Sequence, residues 1–100
     1  MGLIITTPIH TNKGQTSEMY VNIDNIMVIK SDTQSVSLNR YINKSSRESN
    51  QNDKCDSFEV LGNYNYNLNI SDLTANSIYD VMYTKLKNDL IANGFSVEND

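Results

Sequence analysis

Chemistry in this chain would have to come from very few side chains. The sequence holds one histidine, His10, and one cysteine, Cys55, and a nucleophile–base pair needs the imidazole within hydrogen-bond reach of the thiol. His10 opens a polar stretch that runs to Ser17 through Asn12 and Gly14. Cys55 lies in the hydrophilic run Asn43–Asp56, NKSSRESNQNDKCD. Both stretches read as irregular, so spacing alone relates the two residues and a loop histidine with an incidental thiol is the stronger account. Asp53, Asp56 and Glu59 could supply paired carboxylates, but acid–base work needs an apolar enclosure that drives two pKa values apart, and their neighbours are polar. The oxygen-rich run Asn50–Asp56 lacks the ligand spacing, central glycine and closing glutamate of a calcium loop. One cysteine and one histidine cannot fill a structural zinc site. Gly2, Gly14, Gly62 and Gly94 are too scattered for a phosphate-cradling loop. The sequence therefore offers no catalytic, cofactor-binding or metal-ligating residue, and the expectation is a protein without enzymatic activity or cofactor.

Aromatic side chains leave a different possibility. Tyr64 and Tyr66, with Tyr20, Tyr41, Tyr79 and Tyr83 elsewhere, could stack bases or sugars. Without basic neighbours they read better as core or subunit interface, because tyrosine buries apolar area while its hydroxyl keeps a partner. Asn63, Asn65, Asn67 and Asn69 form a ladder on the opposite face, either solvated or paired with a neighbouring chain.

These residues sit on a stretch with strong alternation. From Ser57 to Ile70 the even positions are Phe58, Val60, Gly62, Tyr64, Tyr66, Leu68 and Ile70 and the odd ones, Leu61 apart, are polar, which predicts one long strand with a buried and a wet face. Upstream, Leu3–Thr7 is short and β-branched with Pro8 behind it, and reads as an edge or partner-pairing strand. Glu18–Lys30 predicts a long strand with Met19, Val21, Ile23, Met27 and Ile29 on one face, bulged near Asp24–Asn25. Ser31–Asp32–Thr33 supplies a turn, after which Val36, Leu38 and Ile42 share a face with Arg40, completing a hairpin. Residues 44–56 hold no large apolar side chain and read as a mobile loop or arm tip. Ala75, Ile78, Tyr79, Met82, Leu86 and Leu90 form a helical stripe, predicting a helix over 71–93 with Ser71 as N-cap and Gly94 at the left-handed C′ position. Phe95 and Val97 would pack back ahead of an acidic tail. The fold class expected is α+β: a β-rich single domain spanning 1–100, about four strands with a polar arm, and one C-terminal amphipathic helix on the sheet.

At 100 residues the chain can bury one modest core without metals or disulfides. A net charge of −4 with eight Lys and Arg that form no basic stripe argues against direct nucleic-acid binding. The solitary cysteine and an uncharged opening from Met1 to Pro8 point to assembly in a reducing cytoplasm. No stretch reaches transmembrane length, so no membrane insertion is expected. Met1–Thr6 formally fits a myristoylation pattern, which is permissive and carries little weight.

The segment through Ile23 also resembles a known family. A short apolar strand with Thr6, Thr7, Pro8 and Ile9 leads through a loop with Gly14 to Glu18, Tyr20, Val21 and Ile23. This pattern is similar to the start of small virion proteins of crAss-like phages and related podoviruses. It covers about the first quarter of the chain. The resemblance implies a structural virion protein without catalysis, a tail-hub or neck/tail ring subunit working in many copies. Its partners would be copies of itself and other virion proteins around the tail or portal, and it would be located in the virion after assembly in the host cytoplasm. A head fibre or capsid decoration protein is the near alternative. A small intracellular regulatory binding module is the alternative from another class. In the leading reading, an edge strand at Leu3–Thr7 would add to a neighbour's sheet.

Overall fold

The computed structural model describes residues 2–69 and 78–100. Among them the chain forms an α+β domain of seven strands in two sheets and two helices: β1 (Leu3–Ile5), β2 (Ile9–Thr11), β3 (Gly14–Thr16), β4 (Met19–Lys30), β5 (Thr33–Tyr41), α1 (Lys44–Ser49), β6 (Asn63–Tyr66), α2 (Ile78–Ala92) and β7 (Val97–Asn99). The main sheet has five antiparallel strands in the order β6-β5-β4-β1-β7, and β2 with β3 makes a separate hairpin. The expected class holds at the level of α+β. About four strands and one helix was too few, because short elements with long-range partners leave little periodicity to read.

The backbone of the sheet is the β4–β5 hairpin, bulged where Asp24–Asn25 suggested, with a register shift between Ile23 and Asn25. Its consequence corrects the facial reading. Met19, Val21 and Ile23 enter the core, and beyond the bulge the alternation flips, so Ile26 opposite Val36 continues that face. Met27 and Ile29 are thereby turned out to solvent.

Three other expectations are corrected. Leu3–Ile5 is interior: Leu3 pairs with Val21 on one side and Asn99 on the other, so it cannot be the edge that joins a neighbour. The expected acidic tail supplies its second partner, β7. The polar stretch after Pro8 forms the β2–β3 hairpin, whose Ile9 is fully buried.

The third correction concerns Ser57–Ile70. Among its described residues only Asn63–Tyr66 is strand, lying against β5 from Gln34 to Ser37, while Ile70 lies outside the described residues. Upstream, side chains on β5 and in the loop itself satisfy the backbone in place of a ladder. Beyond Tyr66 the fully buried Gln34 replaces a strand, accepting from Leu68 N at 3.0 Å and donating to Leu68 O at 2.7 Å. Within residues 44–56 the chain forms α1 and then returns to the core. Asn43 Oδ1 caps α1 by accepting from Ser46 N at 2.8 Å, Tyr41 Oη donates to Gln51 O at 2.7 Å, and Cys55 lies in the core.

The core fills the space between the sheet and α2, which contributes Met82, Tyr83, Leu86 and Leu90 against Leu3, Ile5, Val21, Ile23, Val36 and Leu38. Tyr83 replaces the half-exposed Tyr79 of the expected stripe, while Ser71 and Ala75 lie outside the described residues. On the opposite face Tyr20 and Tyr41 form a tilted pair, ring centroids 6.3 Å apart. Tyr20 leaves no room at Gly2, where a Cβ would come within 2.4 Å of its hydroxyl.

The end of α2 follows the expected chemistry closely. Gly94 takes φ +97°, Gly94 N donates to Ile91 O and Phe95 N to Leu90 O, each at 3.0 Å, which is the paired closure of a Schellman motif. Phe95 and Val97 pack back on the core. Replacing Gly94 with Ala forces a Cβ into the left-handed region and is expected to cost about 1 kcal/mol in denaturant unfolding; an unchanged midpoint would mean the helix end relaxes into another closure.

Candidate assembly surface

The residues that could have carried chemistry gather around β2 and its turn, each with contacts of its own. His10 lies on β2 with its side chain exposed, whereas Cys55 is buried, and no hydrogen bond joins them. Burial pushes the Cys55 thiol up, only partly offset by the Arg40 and Lys13 charges, the reverse of an activated nucleophile. The three carboxylates each have a separate partner: Asp53 pairs with Lys13, Asp56 with the Arg40 guanidinium at 3.0 Å, and Glu59 accepts from His10 N at 2.8 Å. Among the described residues no three His, Cys, Asp or Glu side chains assemble as a metal site.

The tyrosines serve mainly as core. Tyr66 is buried and its hydroxyl lies beside Asp89 without closing an ordinary hydrogen bond; burial, then that carboxylate, holds the phenol far above its usual range. Tyr64 accepts from Leu61 N at 3.1 Å, and Tyr83 accepts from Ile23 N at 2.8 Å. Of the asparagine ladder, Asn63 and Asn65 stay exposed on β6 opposite Ser37 and Ser35, while Asn67 and Asn69 fall beyond the strand.

What these bonds build together is a hydrogen-bonded loop from Asp56 to Gly62. Arg40 is its centre: one terminal nitrogen donates to Ser57 O at 3.1 Å and Val60 O at 2.7 Å, the other to Asp56 Oδ1 at 3.0 Å. Ser57 Oγ accepts from Glu59 N and Val60 N, closing a hydroxyl-capped turn. The base is stitched to β2 and its turn, with Asn12 N donating to Asp56 O at 3.1 Å and Asp56 N to Asn12 Oδ1 at 2.8 Å. Val60 anchors it in the core with no exposed surface. At the crest of this scaffold Phe58 is 100% exposed, and Leu61 is 52% exposed. Phe58 also walls a cleft of about 450 Å³ completed by His10, Thr11, Asn12, Asp56 and Ser57.

A phenylalanine has about 1.5–3 kcal/mol to gain from burial. A flexible loop could fold it inward, but here the backbone on both sides is held by named donors and acceptors, so the ring stays outside. An apolar group presented on a fixed support is the arrangement of an interface anchor. A second apolar group, Met27, Val28 and Ile29, lies toward the turn of the β4–β5 hairpin. The Phe58 loop is attached to Arg40, which pairs with Val21 near the other end of β4. The two surfaces therefore lie toward opposite ends of the β4–β5 hairpin.

A larger cleft of about 650 Å³ runs between α2 and the β1–β7 side, with Asp80, Tyr83, Thr84, Lys87, Ile91 and Asp100 in its walls. Its Asp100 charge has a structural use. Asp100 accepts from Tyr20 Oη at 3.3 Å and pairs with Lys44, while Asp100 N donates to Gly2 O at 3.0 Å. The hydrogen bond from Lys44, reinforced by its charge and opposed by burial, holds the Asp100 carboxyl below its ordinary 3.8; the same bond raises Lys44 above 10.5. The lowered carboxyl stabilises the fold above the ordinary carboxylate range and loses that contribution as pH falls through the depressed value; the raised lysine loses its own above 10.5. Amide signals of Glu98–Asp100 and Gly2 should therefore titrate with a midpoint below 3.8, and Asp100→Asn should abolish that transition. A midpoint at the ordinary value would show that the pairing does not persist in solution.

Comparison with known proteins finds no matching family model, no matching curated protein and no matching solved structure. No helix among the described residues is long and apolar enough to cross a membrane.

Proposed function

We propose that this chain is a non-enzymatic structural subunit of a phage virion, a tail-hub or neck/tail ring component that assembles in several copies with itself and with other virion proteins. The observation that carries the assembly part is the Phe58 loop. Its hydrogen-bonded scaffold displays a side chain whose burial requires a partner. The phage part rests on the resemblance carried by Thr6, Thr7, Pro8, Ile9, Gly14, Glu18, Tyr20, Val21 and Ile23. The sheet edge once expected at Leu3–Thr7 plays no part in this reading, since β7 and β4 occupy both its sides. Assembly would take place in the host cytoplasm, and the mature location would be the virion tail or neck.

The test is made on purified particles of the encoding phage, by quantitative mass spectrometry and labelled imaging. The expected result is a fixed multiple of this chain per particle on the tail axis. Copies spread over the capsid or its fibres would replace the tail reading with a head decoration role. Abundance in infected cells with none in particles would overturn both and leave an intracellular binding module.

A further inference from the structure

The main sheet has an opening that its strand order conceals. β1 covers β4 only from Met19 to Val21, and β4 continues to Lys30. Ile23 N, the next amide on that side, is capped by Tyr83 Oη at 2.8 Å. From Asp24 onward no described strand pairs with this edge of β4. Exposed open edges are templates for strand addition, and soluble proteins usually shorten or cover them. Here the edge instead carries Met27, Val28 and Ile29, which are 59%, 43% and 54% exposed.

The alternation of the ladder identifies which main-chain groups face outward. On β5, Leu38 N donates to Gly62 O and Arg40 O accepts from Cys55 N, so even-numbered residues of β5 turn away from β4 and the odd ones bond to it. Ser37 and Ser35 pair with Asn25 and Met27. Those two residues are spent on β5, and the outward amide and carbonyl groups belong to Ile26 and Val28.

We propose that this edge pairs with the same edge of a second copy, antiparallel and across a two-fold axis at Met27. Three self-pairings bring outward groups to outward groups, with the axis at Ile26, Met27 or Val28. Centring on Met27 sets Ile26 against the partner's Val28, and by symmetry Val28 against the partner's Ile26, so two pairs exchange four main-chain hydrogen bonds. The β4–β5 ladder shifts again between Val28 and Lys30, so Lys30 leaves strict alternation, but of the three registers this one alone brings Asp24 and the partner's Lys30 next to each other, at both ends. Lys30 forms no ion pair among the described residues, and Asp24 accepts from Asn39 Nδ2 at 3.4 Å. Ile26 already packs against the core, so the Ile26–Val28 contacts extend the two cores toward each other. Charge complementarity and hydrogen-bond parity select the same register, and such a contact is isologous. This inference rests on the multi-copy reading above but concerns a different surface from the Phe58 loop.

Three measurements on the full chain test it. Asp24→Lys or Lys30→Asp alone should weaken self-association in analytical ultracentrifugation by about tenfold, and the double exchange should restore it. Val28→Pro should abolish association without unfolding the monomer, because that amide faces outward and gives up no bond to β5. Met27→Cys should form a disulfide dimer on mild oxidation, since residues facing each other in a non-hydrogen-bonded pair stand about 4.5 Å apart at Cα, while Ile29→Cys should not. A wild-type chain that stays monomeric at millimolar concentration overturns the proposal, as does association indifferent to Val28→Pro. Crosslinking through Ile29 in preference to Met27 overturns the register. A dimer with these properties whose chain is absent from particles would retain this inference and sink the virion role; a chain present in particles whose Met27→Cys variant does not crosslink there would do the opposite.

Discussion

Replacing Arg40 with Ala should destabilise the domain by about 2–4 kcal/mol, far more than loss of a surface ion pair. The reason lies in what the guanidinium holds. Its partner Asp56 has a side chain 81% exposed, whereas Arg40 itself is only 14% exposed, so the charge pair is screened and contributes little. The weight falls on Ser57 O and Val60 O, two carbonyls that the hydrogens of a single guanidinium nitrogen satisfy together. Without it they lose their donor beside a core that Val60 helps to close. Lysine carries the charge, but its single nitrogen cannot reach both carbonyls and the Asp56 carboxylate in one plane, and it should recover less than half of the loss. Asp56→Asn should cost under about 1 kcal/mol. Denaturant unfolding of the three variants separates the effects, and hydrogen exchange should show faster exchange at Glu59, Val60 and Leu61 in Arg40→Ala. Equal losses in Arg40→Ala and Asp56→Asn would mean that the ion pair, and not the carbonyl bonds, holds the loop.

Arg40 also explains much of what the sequence did and did not disclose. Local signals were legible where the physics is local: Gly94 ending α2, the turn at Ser31–Asp32, and the bulge beside Asp24. The misread stretches depend on partners far along the chain. Ser57–Ile70 alternates like a strand, yet Arg40 and Gln34 on β5 take over its backbone bonds at either end. One signal for this was present, since Arg40 falls on the apolar face of its strand with Val36 and Leu38, and an arginine there must find acceptors. Leu3–Ile5 resembled an edge because nothing local announces that Val97–Asn99 returns to pair with it. α1 has no buried residue, so its sequence KSSRES bears no stripe to recognise. Phe58 was misplaced for the opposite reason. Its type and spacing suited a buried face, and only the loop around Arg40 turns it outward.

Phe58→Ala should leave monomer stability within about 0.5 kcal/mol of the parent, because a fully exposed ring gives up no packing. In assembly the expectation reverses. If the loop is an anchor, truncation removes the burial it was positioned to make, and binding to the partner should weaken by at least about thirtyfold, or 2 kcal/mol. Leu61→Ala, at the half-exposed shoulder, should have a smaller effect of the same sign. Arg40→Ala should impair assembly too, but through a loosened loop. The two mechanisms separate by temperature: cooling a partly frayed Arg40 variant should recover part of its assembly, whereas the Phe58 variant has nothing to recover. The measurement is incorporation into particles by complementation, alongside unfolding of the purified chain. Normal incorporation of a folded Phe58→Ala chain would show that the loop is not the contact. Incorporation of that chain that is then lost with Val28→Pro would place the contact at the β4 edge, whose hydrogen bonds and charges Phe58 does not touch.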